Sequence, residues 1–170
     1  MNIDGGSGDD LLVLFDHLAS APNVYVFQPD GAGASQFDRN MTLTYVYDGI
    51  EQTILGGGKG NDSVEIHATQ HLEDLWINAG EGADTLLVDS NGSAAGGTVD
   101  GIFGVVTIDG GEGQAGVDEL ILNDAGAIGD PSLVTVTPTE VTGFGTFFGS
   151  GLVQYAGLSQ LTIHLGRNND

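Results

Sequence analysis

A short run of glycines closed by an acid recurs along the chain and, in every copy before the last, leads into alternating apolar residues. It constrains the fold more than any other feature. It reads Gly5-Gly6-Ser7-Gly8-Asp9-Asp10 before Leu11-Leu12-Val13-Leu14, and Gly57-Gly58-Lys59-Gly60-Asn61-Asp62 before Ser63-Val64-Glu65-Ile66. A third copy, Ala79-Gly80-Glu81-Gly82-Ala83-Asp84, precedes Thr85-Leu86-Leu87-Val88. A fourth, Gly110-Gly111-Glu112-Gly113, reaches Asp118 only after Gln114-Ala115-Gly116-Val117, and the last, Gly166-Arg167-Asn168-Asn169-Asp170, carries Asn168 where the others have glycine. Each copy reads as a turn followed by a short strand with one buried face. No long stretch has a 3.6-residue apolar period, so the expected class is all-β.

A longer period encloses these units. Tyr47-Asp48-Gly49-Ile50-Glu51-Gln52 and Tyr155-Ala156-Gly157-Leu158-Ser159-Gln160 lie 108 residues apart, and Ile3-Asp4-Gly5-Gly6 matches Ile108-Asp109-Gly110-Gly111 at 105. Residues 1–170 therefore read as one segment holding about one and a half copies of a repeat of about 108 residues. The motif acids at 10, 62, 84, 118 and 170 are spaced by 52, 22, 34 and 52 residues. Since a coil of roughly 22 to 30 residues suits a stacked repeat, the expected fold is a parallel, right-handed β-helix or β-solenoid with Gly-rich turns. Asp62 and Asp84 should then stack on adjacent coils. Val24-Tyr25-Val26-Phe27 and Leu133-Val134-Thr135-Val136-Thr137 are the candidate strands of rungs without the motif.

Charge narrows the partners. Twenty-four acidic residues face Lys59, Arg39 and Arg167, a formal charge of −21, which excludes nucleic acid as a natural partner. So negative a surface repels itself unless cations neutralise it. With no cysteine, the ligands on offer are carboxylate and carbonyl oxygens, which suit hard cations such as Ca²⁺. No apolar run reaches the roughly 18 residues of a membrane helix, so membrane insertion is not expected, and the start has no basic region followed by an apolar one. Both ends read as cuts in a longer protein, with a native short chain as the alternative.

Calcium takes 6 to 8 oxygens, more than one short turn supplies from side chains, but stacked turns can share an ion. The spacing Gly-Gly-x-Gly-x-Asp-x-apolar resembles the RTX, or haemolysin-type, calcium-binding nonapeptide. The resemblance implies export from a Gram-negative bacterium and folding outside the cell where calcium is abundant. By position it implies Asp10, Asp62, Asp84 and Asp118 as carboxylate ligands. Carbonyls would come from Gly6, Gly8, Gly58, Gly60, Gly80, Gly82, Gly111 and Gly113, together with Gly5, Gly57 and Gly110. Tandem nonapeptides are absent. The isolated motifs in a long repeat look like those of very large secreted or cell-surface proteins, and a calcium-binding structural or adhesive module is the expected function.

Three other readings compete with this one. An enzyme acting on extracellular polysaccharide would need basic partners for its carboxylates, and these are nearly missing; His67 and His71 sit in what reads as a loop. No enzyme is expected. A glycan, ice or protein-receptor surface would use alternating threonines (Thr135, Thr137, Thr139; Thr42, Thr44) or Trp76, but β-propensity on a solvated face is the favoured reading of the threonines and core stacking or capping that of Trp76. Self-association, with like modules stacked head-to-tail into a filament, follows from the open edges of any such stack.

Overall fold

The computed structural model describes residues 1–70, 73–92, 96–111, 116–127, 134–144 and 151–166. Among them the alternating segments form strands and there is no helix. One sheet has eight strands in the order β1 (Asn2–Asp4), β5 (Leu43–Asp48), β4 (Ser35–Arg39), β3 (Val24–Pro29), β7 (Ser63–Ile66), β9 (Thr85–Val88), β11 (Glu119–Asn123) and β15 (Gln160–His164). The other has seven, ordered β12 (Thr135–Val136), β13 (Glu140–Phe144), β14 (Gly151–Ala156), β10 (Val105–Asp109), β8 (Asp74–Asn78), β6 (Gln52–Gly56) and β2 (Leu11–Phe15).

From β5 to β11 the chain changes sheet at every strand, and within each sheet β6 to β11 pair in parallel with period-2 burial, as in β8, where Leu75 and Ile77 are buried and Trp76 is half exposed. Alternate residues point to opposite faces of a strand. Leu55, Leu75, Ile77, Val106 and Ile108 from one sheet and Val64, Ile66, Leu86, Val88, Leu120 and Leu122 from the other therefore enter one shared core.

The expectation of a single parallel β-solenoid is corrected by two antiparallel insertions, which make both sheets mixed. β3, β4 and β5 form an antiparallel meander, and β12, β13 and β14 form a second one. Turn chemistry is the physical cause. Asp30 Oδ1 accepts from the backbone N–H groups of Ala32, Gly33 and Ala34, folding β3 back onto β4. Asn40 and Met41 both lie at positive φ (53° and 54°), the conformation of a type I′ reversal, and Thr42 N–H closes the turn on the Arg39 carbonyl at 3.0 Å. The first meander also carries the aromatic part of the core. Phe37 stacks with Tyr25 and Tyr45 at 6.2 and 6.4 Å between ring centroids and packs on Phe27 at 5.1 Å.

Candidate functional site

Three of the motif acids meet in one file. Asp62, Asp84 and Asp118 stand immediately before β7, β9 and β11, so parallel pairing places them one above another at a corner between the sheets. Asp62 N–H donates to Asp84 Oδ1 at 2.7 Å, and Asp84 N–H donates to Asp118 Oδ1 at 2.9 Å. At the far end Asn23 N–H donates to Asp62 Oδ1 at 2.8 Å, while Gly58 N–H donates to Asp62 Oδ2 at 3.0 Å. Asn23, Asp62, Asp84 and Asp118 are all buried. Each acid thus accepts the backbone donor that its neighbour leaves unpaired on entering a strand, a charge-assisted bond stronger than a neutral one. Sequence reasoning missed Asn23. The signal for it was the match of Asn23-Val24-Tyr25-Val26 to Asp62-Ser63-Val64-Glu65.

Asp10 stands elsewhere, before β2 in the seven-stranded sheet. Its backbone N–H donates to Glu51 Oε2 at 2.8 Å, and its carbonyl accepts from Glu51 and Gln52. Gly113 and Asp170 lie outside the described residues.

The turn glycines are explained by close stacking. A Cβ at Gly80 would fall on the Gly58 carbonyl oxygen, one at Gly82 on that of Gly60, and one at Gly111 on that of Gly80. Gly80 also lies at φ 108°, so two independent constraints select glycine there. Gly58 and Gly60 lack positive φ, and their room is taken by Ala19 and by Ala21-Pro22. Gly6 and Gly8 are both at positive φ; the space around Gly6 is open, a Cβ at Gly8 would touch only Asp10 Oδ2, and Gly6 N–H is held by Asp4 Oδ1 at 2.9 Å. The Gly58 carbonyl accepts from Glu81 N–H at 2.9 Å, so it points along the stack, not toward a shared centre.

The ladder leaves two oxygens over. Asp84 Oδ2 and Asp10 Oδ2 are buried without a hydrogen-bond partner. Asp84 is fully buried, and desolvation, with Asp62 and Asp118 adding repulsion, pushes its carboxyl up to about 7. Burial also raises Asp62, opposed by its bonds from Asn23 and Gly58. Among the described residues no three Asp, Glu or His side chains converge on a point that would hold a metal ion. A cation at Asp84 would draw its remaining ligands from backbone carbonyls and water. The unpartnered, fully buried carboxylate oxygen fits a hard cation; the spent Oδ1 atoms do not add to its shell.

Two further polar clusters escaped the sequence reading. Buried Glu73 accepts from Tyr47 and Thr53 hydroxyls on Oε1 at 2.8 and 2.9 Å, and from Ser35 Oγ and Gln70 N–H on Oε2 at 3.0 and 3.1 Å. Asp16 accepts from Tyr25 Oη at 2.7 Å and pairs with Arg39 Nη2 at 2.8 Å. Both are satisfied, and both fasten the first meander to the rest of the molecule. His67 lies 3.2 Å from Glu65 Oε2, and His71 falls outside the described residues. Trp76 is half exposed on the outer face of the seven-stranded sheet. No family model, curated protein or solved structure matches the chain.

Proposed function

We propose that the chain is a calcium-stabilised structural or adhesive module of a large secreted or cell-surface bacterial protein, with no catalytic role of its own. The observation that carries this reading is Asp84. A fully buried carboxylate keeps one oxygen unpartnered, with Asp62 and Asp118 above and below it, in a protein of formal charge −21. An unpaired buried charge of this kind is costly, and a hard cation would offset the cost where no side-chain donor does. The bound ion would supply positive charge to the corner between the sheets. The protein's own groups already fix the corner in place: Asp118, Asp84 and Asp62 hold the strand entries, and the glycines allow the turns to stack.

The extracellular setting follows from the same chemistry, because a weak oxygen site of few carboxylates needs the calcium levels found outside cells, about 10⁻⁴–10⁻³ M or higher. Melting at pH 8 in EGTA and in calcium tests the proposal. The melting temperature rises with calcium in the parent chain, and the rise is lost in Asp84→Asn. An unchanged melting temperature in the parent chain would remove calcium from the account.

A further inference from the structure

Two blocks of six strands pair in the same way nine strands apart. β1 pairs β5 with Ile3 opposite Tyr47, and β10 pairs β14 with Ile108 opposite Tyr155. β2 pairs β6 with Leu11 opposite Gln52, and β11 pairs β15 with Glu119 opposite Gln160, a shift of 108 residues on both sides. The antiparallel order β3, β4, β5 recurs as β12, β13, β14. Details follow: the Asp10 carbonyl takes the N–H groups of Glu51 and Gln52, and the Asp118 carbonyl takes those of Ser159 and Gln160. From β1 to β10 the chain changes sheet seven times, an odd number, because β3, β4 and β5 stay in one sheet, so equivalent strands fall in opposite sheets. β1 and β5 lie in the eight-stranded sheet and β10 and β14 in the seven-stranded one, while β2 and β6 are exchanged for β11 and β15 in the other direction.

Among the described residues the sheet edges are β1, β2, β12 and β15. Each equivalent strand uses the corresponding edge for a parallel partner: β10 for β8, β11 for β9, β3 for β7 and β6 for β8. Inward side chains at the edges are correspondingly under-covered. Leu12 and Leu14 are half-buried where Leu120 and Leu122 are fully buried, and Leu161 and Ile163 are half-buried where Thr53 and Leu55 are buried.

We propose that both ends of this two-sheet stack are docking surfaces for one kind of partner: a three-strand segment with the pattern of residues 63–88, short alternating strands of which the second and third are joined by a Gly-rich turn closed by an acid, as at 79–84. One such segment offers a β8-type strand to β15 or β1 and β7- or β9-type strands to β12 or β2. Main-chain pairing along an open edge gives the affinity and the alternating side chains set the register. Two whole chains placed end to end do not supply this, since a β8-type strand belongs between a β6-type edge such as β15 and a β10-type edge such as β1. Successive copies of the nine-strand unit would also show equivalent faces on opposite sides of the array.

The inference rests on the structural-module reading and on strand pairing, and is independent of calcium. The test joins a second copy of residues 63–90 directly after Asp170, the position equivalent to Asp62 at the 108-residue shift. Hydrogen exchange is then followed in the full chain. Amides of β15 that face away from β11 should exchange at least about tenfold more slowly than in the parent chain. An appended copy carrying Val64→Ser, Leu75→Ser and Leu86→Ser should give no slowing. Unchanged exchange with the intact copy, or equal slowing by both, overturns the proposal. Growth of the parent chain into polymers by sedimentation would assign the ends to a second whole chain and overturn it too. A calcium-dependent melting shift retained alongside failed protection would leave the module reading standing.

Discussion

Replacing Asp84 by Asn separates the cost of its charge from the value of its hydrogen bond. The Asn carbonyl can still accept from Asp62 N–H, as Oδ1 now does at 2.7 Å. The folded carboxyl titrates near 7 against an ordinary 3.8, so the fold binds a proton more tightly than the unfolded chain. Stability contributed by that proton is present in full below about pH 4 and falls as pH rises toward 7. The rise corresponds to about 4 kcal/mol above pH 7. Asn removes this loss but puts an unpaired NH₂ where Oδ2 stood, which costs about 1–3 kcal/mol at every pH. In EGTA at pH 8, Asp84→Asn is therefore more stable than the parent by about 1–3 kcal/mol, and at pH 4 less stable by about the same amount. At about 3 °C per kcal/mol for a chain of this size, the melting curves cross with pH. Urea titration at both pH values gives the same comparison. Equal destabilisation at pH 4 and pH 8 would show that Asp84 ionises in the fold without penalty and would refute the reasoning.

Other perturbations test the packing. Gly80→Ala, which places a Cβ on the Gly58 carbonyl at a positive φ, should cost about 3 kcal/mol or more, against about 1 kcal/mol for Gly31→Ala, where φ is also positive but space is open; urea midpoints compare the two. Met41→Gly should stabilise by about 0.5–1 kcal/mol, since Met41 is 88% exposed and sits at φ 54°, and a thermal melt reads the gain. Glu73→Ala strands three hydroxyls and a backbone N–H and opens a cavity, so a loss of about 3–5 kcal/mol is expected in denaturant titration.

The motif acids illustrate what could be read from residues alone. The spacing from Asp62 to Asp84 predicted a stacked pair, and the strands after them do pair with Val64 opposite Leu86. Asp118 joins the file despite its insertion, because stacking depends on the strand register and not on turn length. Asp10 carries the same motif yet faces Glu51, since β2 belongs to the other sheet. The parallel solenoid was the wrong expectation for a local reason. The reversal at Asn40-Met41 has no glycine, and β4 mixes Gln36, Asp38 and Arg39 with Phe37, so neither the turn nor the strand stood out. Asp38 accepts from Gln36 on its own strand at 2.6 Å and from Gln28 at 3.0 Å, a partner that only the folded hairpin brings to it. The resemblance assigns the turn glycines as carbonyl ligands of an ion, whereas the stacked turns require glycine first for lack of room.

Calcium-dependent melting of the parent chain tests the central claim most directly. At pH 8, with ionic strength matched by sodium chloride, about 2 mM calcium against EGTA should raise the melting temperature by about 4 °C or more, the shift for one site filled at ten times its dissociation constant. Identical melting in the two conditions would contradict a calcium-stabilised module and would leave the Asn23, Asp62, Asp84 and Asp118 ladder as a purely hydrogen-bonded structure.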